Sequence, residues 1–311
     1  MAIVFCTEKG RLEAESLLLA KTIRKFGGAF SNSELFSYQP RVGTEVSDRT
    51  LRGFKELNVS HIDLNLNTDH HDYAFCNKIY ACNHLESMNK FDTIIFLDSD
   101  QLVLSPFEEL VEHSFALGVR PVEKKGVGTA GEKDINWEYW ASIFNIFDID
   151  KKKVPVVITS QTKERILAYF NAGFVVFDGK RKLCSRWMEI FRKLFDEQLF
   201  PESGKTFLDQ IALVLLSQEL DAEELFVLPE NYNVPLNVNT KSKWTIEREI
   251  RTVHYHRVFD GERKEHHPLD YFDFEITLKT ALKEELKLTG IYPKSKMYYL
   301  KHSLNKKLGR V

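Results

Sequence analysis

Short apolar runs alternate along the chain with longer stretches whose apolar residues recur every three or four positions. Ala2 to Cys6 is such a run. Leu12, Leu19, Ile23 and Phe26 follow at helical spacing until Gly27-Gly28 ends the pattern, so strand, turn and helix are expected in that order. Residues 61–66 predict a second strand, 72–90 a helix, and Thr93-Ile94-Ile95-Phe96-Leu97 a strongly β-prone strand. Further strands are predicted at 115–119, 174–177, 225–228 and 252–255, with helices at 137–147, 182–199 and 207–220. Strands alternating with helices imply an α/β fold with a largely parallel sheet covered on both faces. No internal repeat is visible.

Two segments depart from this rhythm. Residues 123–160 combine Gly126, Gly128, Gly131 and Lys151-Lys152-Lys153 with an aromatic helix, which predicts an insertion or lid over the sheet. After about Pro268 the pattern turns helical and then basic. Lys294, Lys296, Lys301, Lys306, Lys307 and Arg310 occur with no acid among them, beside Met297, Tyr298, Tyr299 and Leu300. Basic residues interleaved with aromatics can dock peripherally on an anionic membrane surface, and a solvated tail has the same composition.

Composition narrows the class. The 311 residues are 43% hydrophobic, 12% aromatic and 28% charged, as in a soluble globular chain long enough for a sizeable core in one large domain or two modest ones. Lys plus Arg number 43 against 45 Asp plus Glu, a net charge of −2, so no basic field exists to hold nucleic acid, which is not an expected partner. Cys6, Cys76, Cys82 and Cys184 are scattered without a CxxC pair, as structural thiols in a reducing compartment would be. The first apolar run is too short for a signal sequence or a membrane span. A cytoplasmic protein is expected, on the inner face of a membrane if the basic tail docks.

Asp98-Ser99-Asp100 stands at the C-terminal end of the most β-prone run, where open α/β sheets bind ligands. Two carboxylates one residue apart can turn toward one hard divalent cation whose shell is completed by phosphates. Two solvated loop acids are the plain alternative for so short a motif. Tyr169-Phe170-Asn171-Ala172-Gly173 leads into the next apolar strand, and small residues beside a polar amide suit close backbone approach to a ligand. Asp209-Gln210 opens the apolar helix 211–216, where an acid also simply complements the helix dipole. In Val253-His254-Tyr255-His256, strand alternation puts both histidines on one face and Tyr255 on the other. Imidazole is a common metal ligand, and more often a hydrogen-bonded structural group.

In order, Asp98-x-Asp100, Asn171-Ala172-Gly173, Asp209-Gln210, Leu228-Pro229 with Tyr232-Asn233, and Val253-His254-Tyr255 resemble the glycogenin-like and lipopolysaccharide-galactosyltransferase group of nucleotide-sugar glycosyltransferases. The resemblance covers residues 1–256. It implies a GT-A domain at 1–267, a Rossmann-like, mostly parallel sheet flanked by helices, followed by a helical basic C-terminal extension at 268–311. It also implies a metal-dependent enzyme that moves a sugar from a nucleoside diphosphate sugar to an acceptor with retention of configuration. Asp98, Asp100 and His254 are then ligands of Mn²⁺ or Mg²⁺, a Lewis acid toward the departing diphosphate. Lys78 lies beside the acidic motif and the phosphates, with Ser99 among the donor-binding residues and Thr7 on the nucleoside. Asn171, Ala172 and Gly173 contact the donor sugar, Asp209 binds sugar hydroxyls, and Gln210 sits beside the anomeric carbon. UDP sugars are the favoured donors. Glycan, lipid-linked and protein acceptors all stay open. No carboxylate stands where the family would place a nucleophile, which favours internal return over a covalent glycosyl-enzyme.

Departures accompany the resemblance. The family's glycine and lysine three and six residues after the histidine are here Arg257 and Asp260, and Arg257, Arg263 and Lys264 are alternatives for the missing cation. Where an aromatic residue commonly stacks on the base, the chain has Glu8-Lys9-Gly10-Arg11. A haloacid-dehalogenase phosphatase wants Thr or Val where Leu102 stands, and Ser203-Gly204-Lys205-Thr206 lacks the first P-loop glycine, since position 199 is Leu199. A sugar nucleotidyltransferase and an inactive glycosyltransferase-like scaffold remain as alternatives.

Overall fold

The computed structural model describes residues 1–112, 114–236 and 249–256, together with 279–281, 283, 284 and 286. Strand β1 (Ala2–Cys6) is apolar on both faces and is followed by α1 (Arg11–Phe26), which buries Leu18, Leu19 and Ile23. Next come β2 (Glu34–Gln39), α2 (Asp48–Glu56), β3 (Val59–Asp63), α3 (Asn77–Ser87), β4 (Thr93–Leu97), β5 (Gln101–Val103), α4 (Glu109–Glu112) and β6 (Leu117–Pro121). The order continues with α5 (Trp137–Ile146), β7 (Val156–Ile158), β8 (Arg165–Leu167), β9 (Phe170–Asp178), α6 (Leu183–Asp196) and α7 (Leu208–Ser217). Three short strands, β10 (Leu225–Val227), β11 (Val234–Pro235) and β12 (Thr252–His254), complete it.

The main sheet has the order β10-β6-β9-β4-β1-β2-β3. Every neighbouring pair is parallel except the two that β9 makes with β4 and β6. From β1 the chain builds outward through β2 to β3, then returns to place β4 on the other side of β1. A crevice opens at such a reversal, beyond the carboxyl ends of the strands. Apolar clusters cover both faces of the sheet, one holding Tyr80, Trp140, Trp187 and Phe191, the other Phe5, Leu19, Phe107 and Phe174. A small second sheet, β11-β12-β5, pairs His254 with Gln101 and Val253 with Leu102. That pairing folds the chain's distant histidine back onto the turn after β4.

Several expected elements lie elsewhere. The strand expected at 61–66 is β3, which starts at Val59 and ends at Asp63. The helix expected at 72–90 is a short 3₁₀ turn, Ala74–Cys76, followed by α3, and it ends before Asn89, which has φ 51. The strand expected at 174–177 begins at Phe170, so Asn171-Ala172-Gly173 lies inside β9 rather than before it. Strand β2 and helix α2 went unforeseen. Ser37 and Gln39 break the apolar run of β2, and Ser37 Oγ donates to Thr7 Oγ1 at 2.7 Å while Gln39 Nε2 donates to Asp63 Oδ1 at 3.0 Å. Bonded in this way, polar groups can be buried without betraying a core strand in the sequence pattern.

Within segment 123–160, α5 packs Trp140, Ile143 and Phe144 into the larger cluster with Tyr169, and the β7–β8 hairpin carries the unit on to residue 167. The boundary at 267/268 and the basic stretch 294–311 lie outside the described residues. The helical residue Leu286 is buried in a third cluster with Leu18, Leu102 and Val253. All four cysteines are free thiols, and no helix among the described residues is long and apolar enough to cross a membrane.

One buried carboxylate joins two helices. Glu86 on α3, 1% exposed, accepts from the Cys184 and Ser185 amides at 2.9 Å each and from Ser185 Oγ at 2.7 Å, capping the N-terminus of α6. Glu86→Ala strands those amides and is expected to cost about 3 kcal/mol. Urea unfolding checks this, and an unchanged midpoint would contradict it.

Candidate functional site

Beyond the carboxyl ends of β1 and β4 lies an open cleft of about 660 Å³, lined by Asp98, Ser99, Asp100, Asn171, Gly173, Asp209, Gln210 and His254 among others. Asp98 leaves β4 with its amide donating to Gly173 O at 2.7 Å, which ties the acidic turn to β9. Strand β9 bulges here. Val119 of β6 pairs with Val175 while the next residue, Arg120, pairs with Asn171, leaving 172–174 outside that ladder. A bulge of this kind re-aims side chains, and it turns Asn171 and Gly173 toward the acidic turn.

Gly173 is required by space. A Cβ there would stand 2.6 Å from Asp98 Oδ2, 2.8 Å from Asn171 Oδ1 and 2.9 Å from His254 Cε1. Asp98, Asn171 and His254 therefore crowd against the Gly173 backbone and leave no room for a side chain there. Asn171 Oδ1 accepts from the Gly173 amide at 2.7 Å and from Asn233 Nδ2 at 3.0 Å. Gln101 Nε2 donates to Gly173 O at 2.6 Å and to Asn233 Oδ1 at 3.0 Å.

Lys78 reaches the floor of the cleft from α3. Its Nζ lies 2.9 Å from Asp98 Oδ1 and 3.4 Å from Asp209 Oδ2, and donates to Ala172 O at 3.1 Å. Burial works against its charge, but Asp98 and Asp209 outweigh burial and hold its pKa above the ordinary lysine value. Asp209, 1% exposed at the start of α7, is pushed the other way. Burial raises its carboxyl, with Lys78 opposing and Asp98 adding to the rise. Its Oδ1 has no hydrogen-bond donor among the described residues. A buried acceptor without a donor is costly unless a ligand supplies one.

On the opposite wall, His254 Nε2 lies 2.9 Å from Asp100 Oδ1 and 4.0 Å from Asp98 Oδ2. Burial would lower the His254 pKa, but Asp100, with Asp98 and Glu123 behind it, raises it to about 9. Burial likewise works against charge on Asp100, and His254, His256 and Arg11 hold its carboxyl well below the usual range. Arg11 Nη2 is 3.9 Å from Asp100 Oδ2. Two carboxylates and an imidazole, those of Asp98, Asp100 and His254, form a donor set that fits a divalent cation.

Two expected site residues do not face the cleft. Thr7 is fully buried, its Oγ1 donating to Ser16 Oγ at 2.7 Å and accepting from Ser37 Oγ. Ala172 is fully buried and contributes its carbonyl to Lys78. Other residues reach the site without having been singled out for it. His256 lies beside His254 with ring centroids 3.8 Å apart, although β12 ends at His254 and strand alternation does not carry on to His256, and Glu123 Oε1 lies 2.7 Å from His256 Nε2. Gln101 follows the acidic motif directly, and Asn233 sits in the motif order already read. Glu123 carries no sequence signal. Where the base-stacking aromatic is missing, Glu8 and Asn77 line the cleft, with Asn77 Nδ2 donating to Glu8 Oε1 at 2.9 Å. Phe75 and Phe207, 51% and 38% exposed, supply aromatic rings elsewhere in it.

Residues 3–221 match the Rhodobacterales glycosyltransferase domain. No curated protein matches the sequence. Among solved structures, the chain is similar to the glycosyltransferase GlyE of Streptococcus pneumoniae TIGR4, at 13% identity and TM-score 0.51, over 95% of this chain and 65% of that one. It is also similar to the galactosyltransferase LgtC in complex with donor and acceptor sugar analogues, at 14% identity and TM-score 0.50, over 94% and 97% of the two chains. The apo structure of the bifunctional WbbM aligns at 14% identity and TM-score 0.50, over 92% of this chain and 51% of that one. At such identities the likeness establishes the fold, which is the GT-A type expected from the sequence.

The His254–Asp100 pair carries a pH signature. A folded pKa of about 9 lies above the ordinary 6.5, so the pairing stabilises the metal-free protein fully below about pH 6.5 and is lost as pH rises through about 9. Urea unfolding of the metal-free protein is expected to show stability falling across that window, with the fall reduced in His254→Gln. An equal fall in both proteins would contradict the pairing.

Proposed function

The chain belongs to the Rhodobacterales glycosyltransferase domain family and is a glycosyltransferase, and we propose that it moves a sugar from a nucleoside diphosphate sugar to an acceptor hydroxyl with the help of a divalent cation. The observation that carries this reading is the convergence of Asp98, Asp100 and His254 in the cleft, with His254 Nε2 2.9 Å from Asp100 Oδ1 and 4.0 Å from Asp98 Oδ2, beside a glycine where no side chain fits. Asp98, Asp100 and His254 are the residues that would hold Mn²⁺ or Mg²⁺. Such an ion supplies Lewis-acid stabilisation of the departing diphosphate.

The chain's own groups divide the remaining work. Lys78, held charged by its carboxylate neighbours, adds a fixed positive charge beside the phosphates. Asp209, held in place by Trp187 Nε1 donating to its carbonyl at 3.0 Å, offers Oδ1 to a sugar hydroxyl, which would satisfy that buried acceptor. Asn171 adds an amide at the donor sugar. Gln210, which lines the cleft one residue beyond Asp209, sits at the anomeric carbon.

Retention follows from internal return. The anomeric carbon's bond to the diphosphate oxygen breaks, the acceptor oxygen bonds on the same face, and the acceptor proton passes to the departing phosphate oxygen. Two features support this over a covalent route. Gln210 is an amide, and Asp209 is buried against Lys78 rather than presented to the cleft as a free nucleophile. UDP sugars are the donors proposed first, from the family resemblance.

Acceptor-free donor hydrolysis tests the reading. The wild type with Mn²⁺ is expected to release sugar of unchanged anomeric configuration by NMR. Asp98→Asn should slow release on the order of a hundredfold without unfolding the protein. Gln210→Ala should keep measurable activity. Metal-independent hydrolysis that Asp98→Asn leaves intact would overturn the metal site, and a trapped glycosyl adduct would overturn internal return.

A further inference from the structure

Beyond His254 the backbone turns sharply. His256 has φ 47, in the left-handed region that residues with a side chain enter mainly when their surroundings hold them there. Two contacts hold it. Arg11 Nη2 donates to the His256 carbonyl at 2.6 Å, and Glu123, just beyond the end of β6, places Oε1 2.7 Å from His256 Nε2. Burial opposes charge on Glu123, but the His256 bond prevails and holds its carboxyl below the ordinary value. With Nε2 engaged by Glu123, Nδ1 is the His256 ring nitrogen left for a ligand.

Asp100, His254 and His256 each offer a ligand atom, and these atoms lie within 4.8 Å of one another. A carboxylate on one ring nitrogen fixes the tautomer and orientation of an imidazole that ligates through the other. Glu123 stands in that relation to His256. A plain surface ion pair would not require the strained backbone, nor would it bring a second ring to 3.8 Å from that of His254.

We propose that His256 is a ligand of the cation alongside Asp100 and His254, positioned by Glu123, and that this two-imidazole set selects Mn²⁺ or Co²⁺ over Mg²⁺. The inference rests on the reading of the cleft as the donor and metal site. Imidazole suits the transition ions, whereas Mg²⁺ prefers carboxylate and water oxygens, so each added imidazole widens the preference.

Calorimetric titration of the metal-free full chain with CoCl₂, MnCl₂ or MgCl₂ alone tests this, with the visible absorption of bound Co²⁺ as a second readout. Co²⁺ is expected to bind most tightly and Mg²⁺ most weakly. His256→Ala should weaken Co²⁺ by at least about tenfold, change its absorption bands and narrow the Co²⁺/Mg²⁺ ratio. Glu123→Gln should weaken Co²⁺ by roughly 10- to 100-fold. His256→Gln replaces His256→Ala if the alanine variant fails to fold. If both His256 and Glu123 variants bind Co²⁺ like the wild type while Asp100→Asn does not, the proposal falls and the donor-site reading stands. If Asp100→Asn also binds Co²⁺ like the wild type, or the wild type binds none, the reading of the cleft falls with it.

Discussion

The Lys78 ammonium stands 2.9 Å from Asp98 and 3.4 Å from Asp209 and donates to the Ala172 carbonyl, so α3, the end of β4, β9 and the start of α7 meet at one buried nitrogen. A buried charge without partners is among the most destabilising features a core can carry. The Lys78 ammonium is therefore tolerable only because Asp98 and Asp209 stand beside it. That requirement ties Asp98 to the floor of the cleft and holds Asp209 with one oxygen committed to Lys78 and the other open. The GT-A sheet supplies the crevice, and this cluster gives it polar chemistry.

A second balance operates across the cleft. Asp100 is held charged by His254, His256 and Arg11, and His254 is held protonated to about pH 9 by Asp100. A ligating histidine must give up its proton, so cation binding at the proposed site would be coupled to proton release and would strengthen as pH rises. Gly173 lies where the two balances meet, with Asp98 and His254 both close against its backbone.

Most of this arrangement was legible in the sequence because its parts are local. The run from Thr93 to Leu97 followed by Asp98-Ser99-Asp100 needs only strand propensity and a switch to acids to be read as a strand ending at a ligand site. The Asn171-Ala172-Gly173 segment announced close approach through its small residues, although the bulge that aims it became visible only once β6 and β9 were paired. Strand β2 was hidden because Ser37 and Gln39 satisfy their polar groups inside the core. Glu123 with His256, and Gln101 with Asn233, were hidden for another reason. These partners are 133 and 132 residues apart, and no spacing rule connects them. Thr7, which the resemblance matched to a nucleoside-contacting position, is fully buried with its hydroxyl bonded to Ser16 and Ser37.

Asp98, Asp100 and His254, beside Gly173 in the cleft, are proposed to form a joint site for a nucleoside diphosphate and a divalent cation. A thermal-shift series of UDP, GDP, CDP, ADP and dTDP, each with and without Mn²⁺, tests it directly. A ligand at about 100 times its dissociation constant stabilises the native state by roughly 2.7 kcal/mol, a readable shift. The account predicts that at least one nucleoside diphosphate raises the unfolding midpoint when Mn²⁺ is present and not when it is absent. No shift with any of the five, or a shift of equal size without metal, would contradict it.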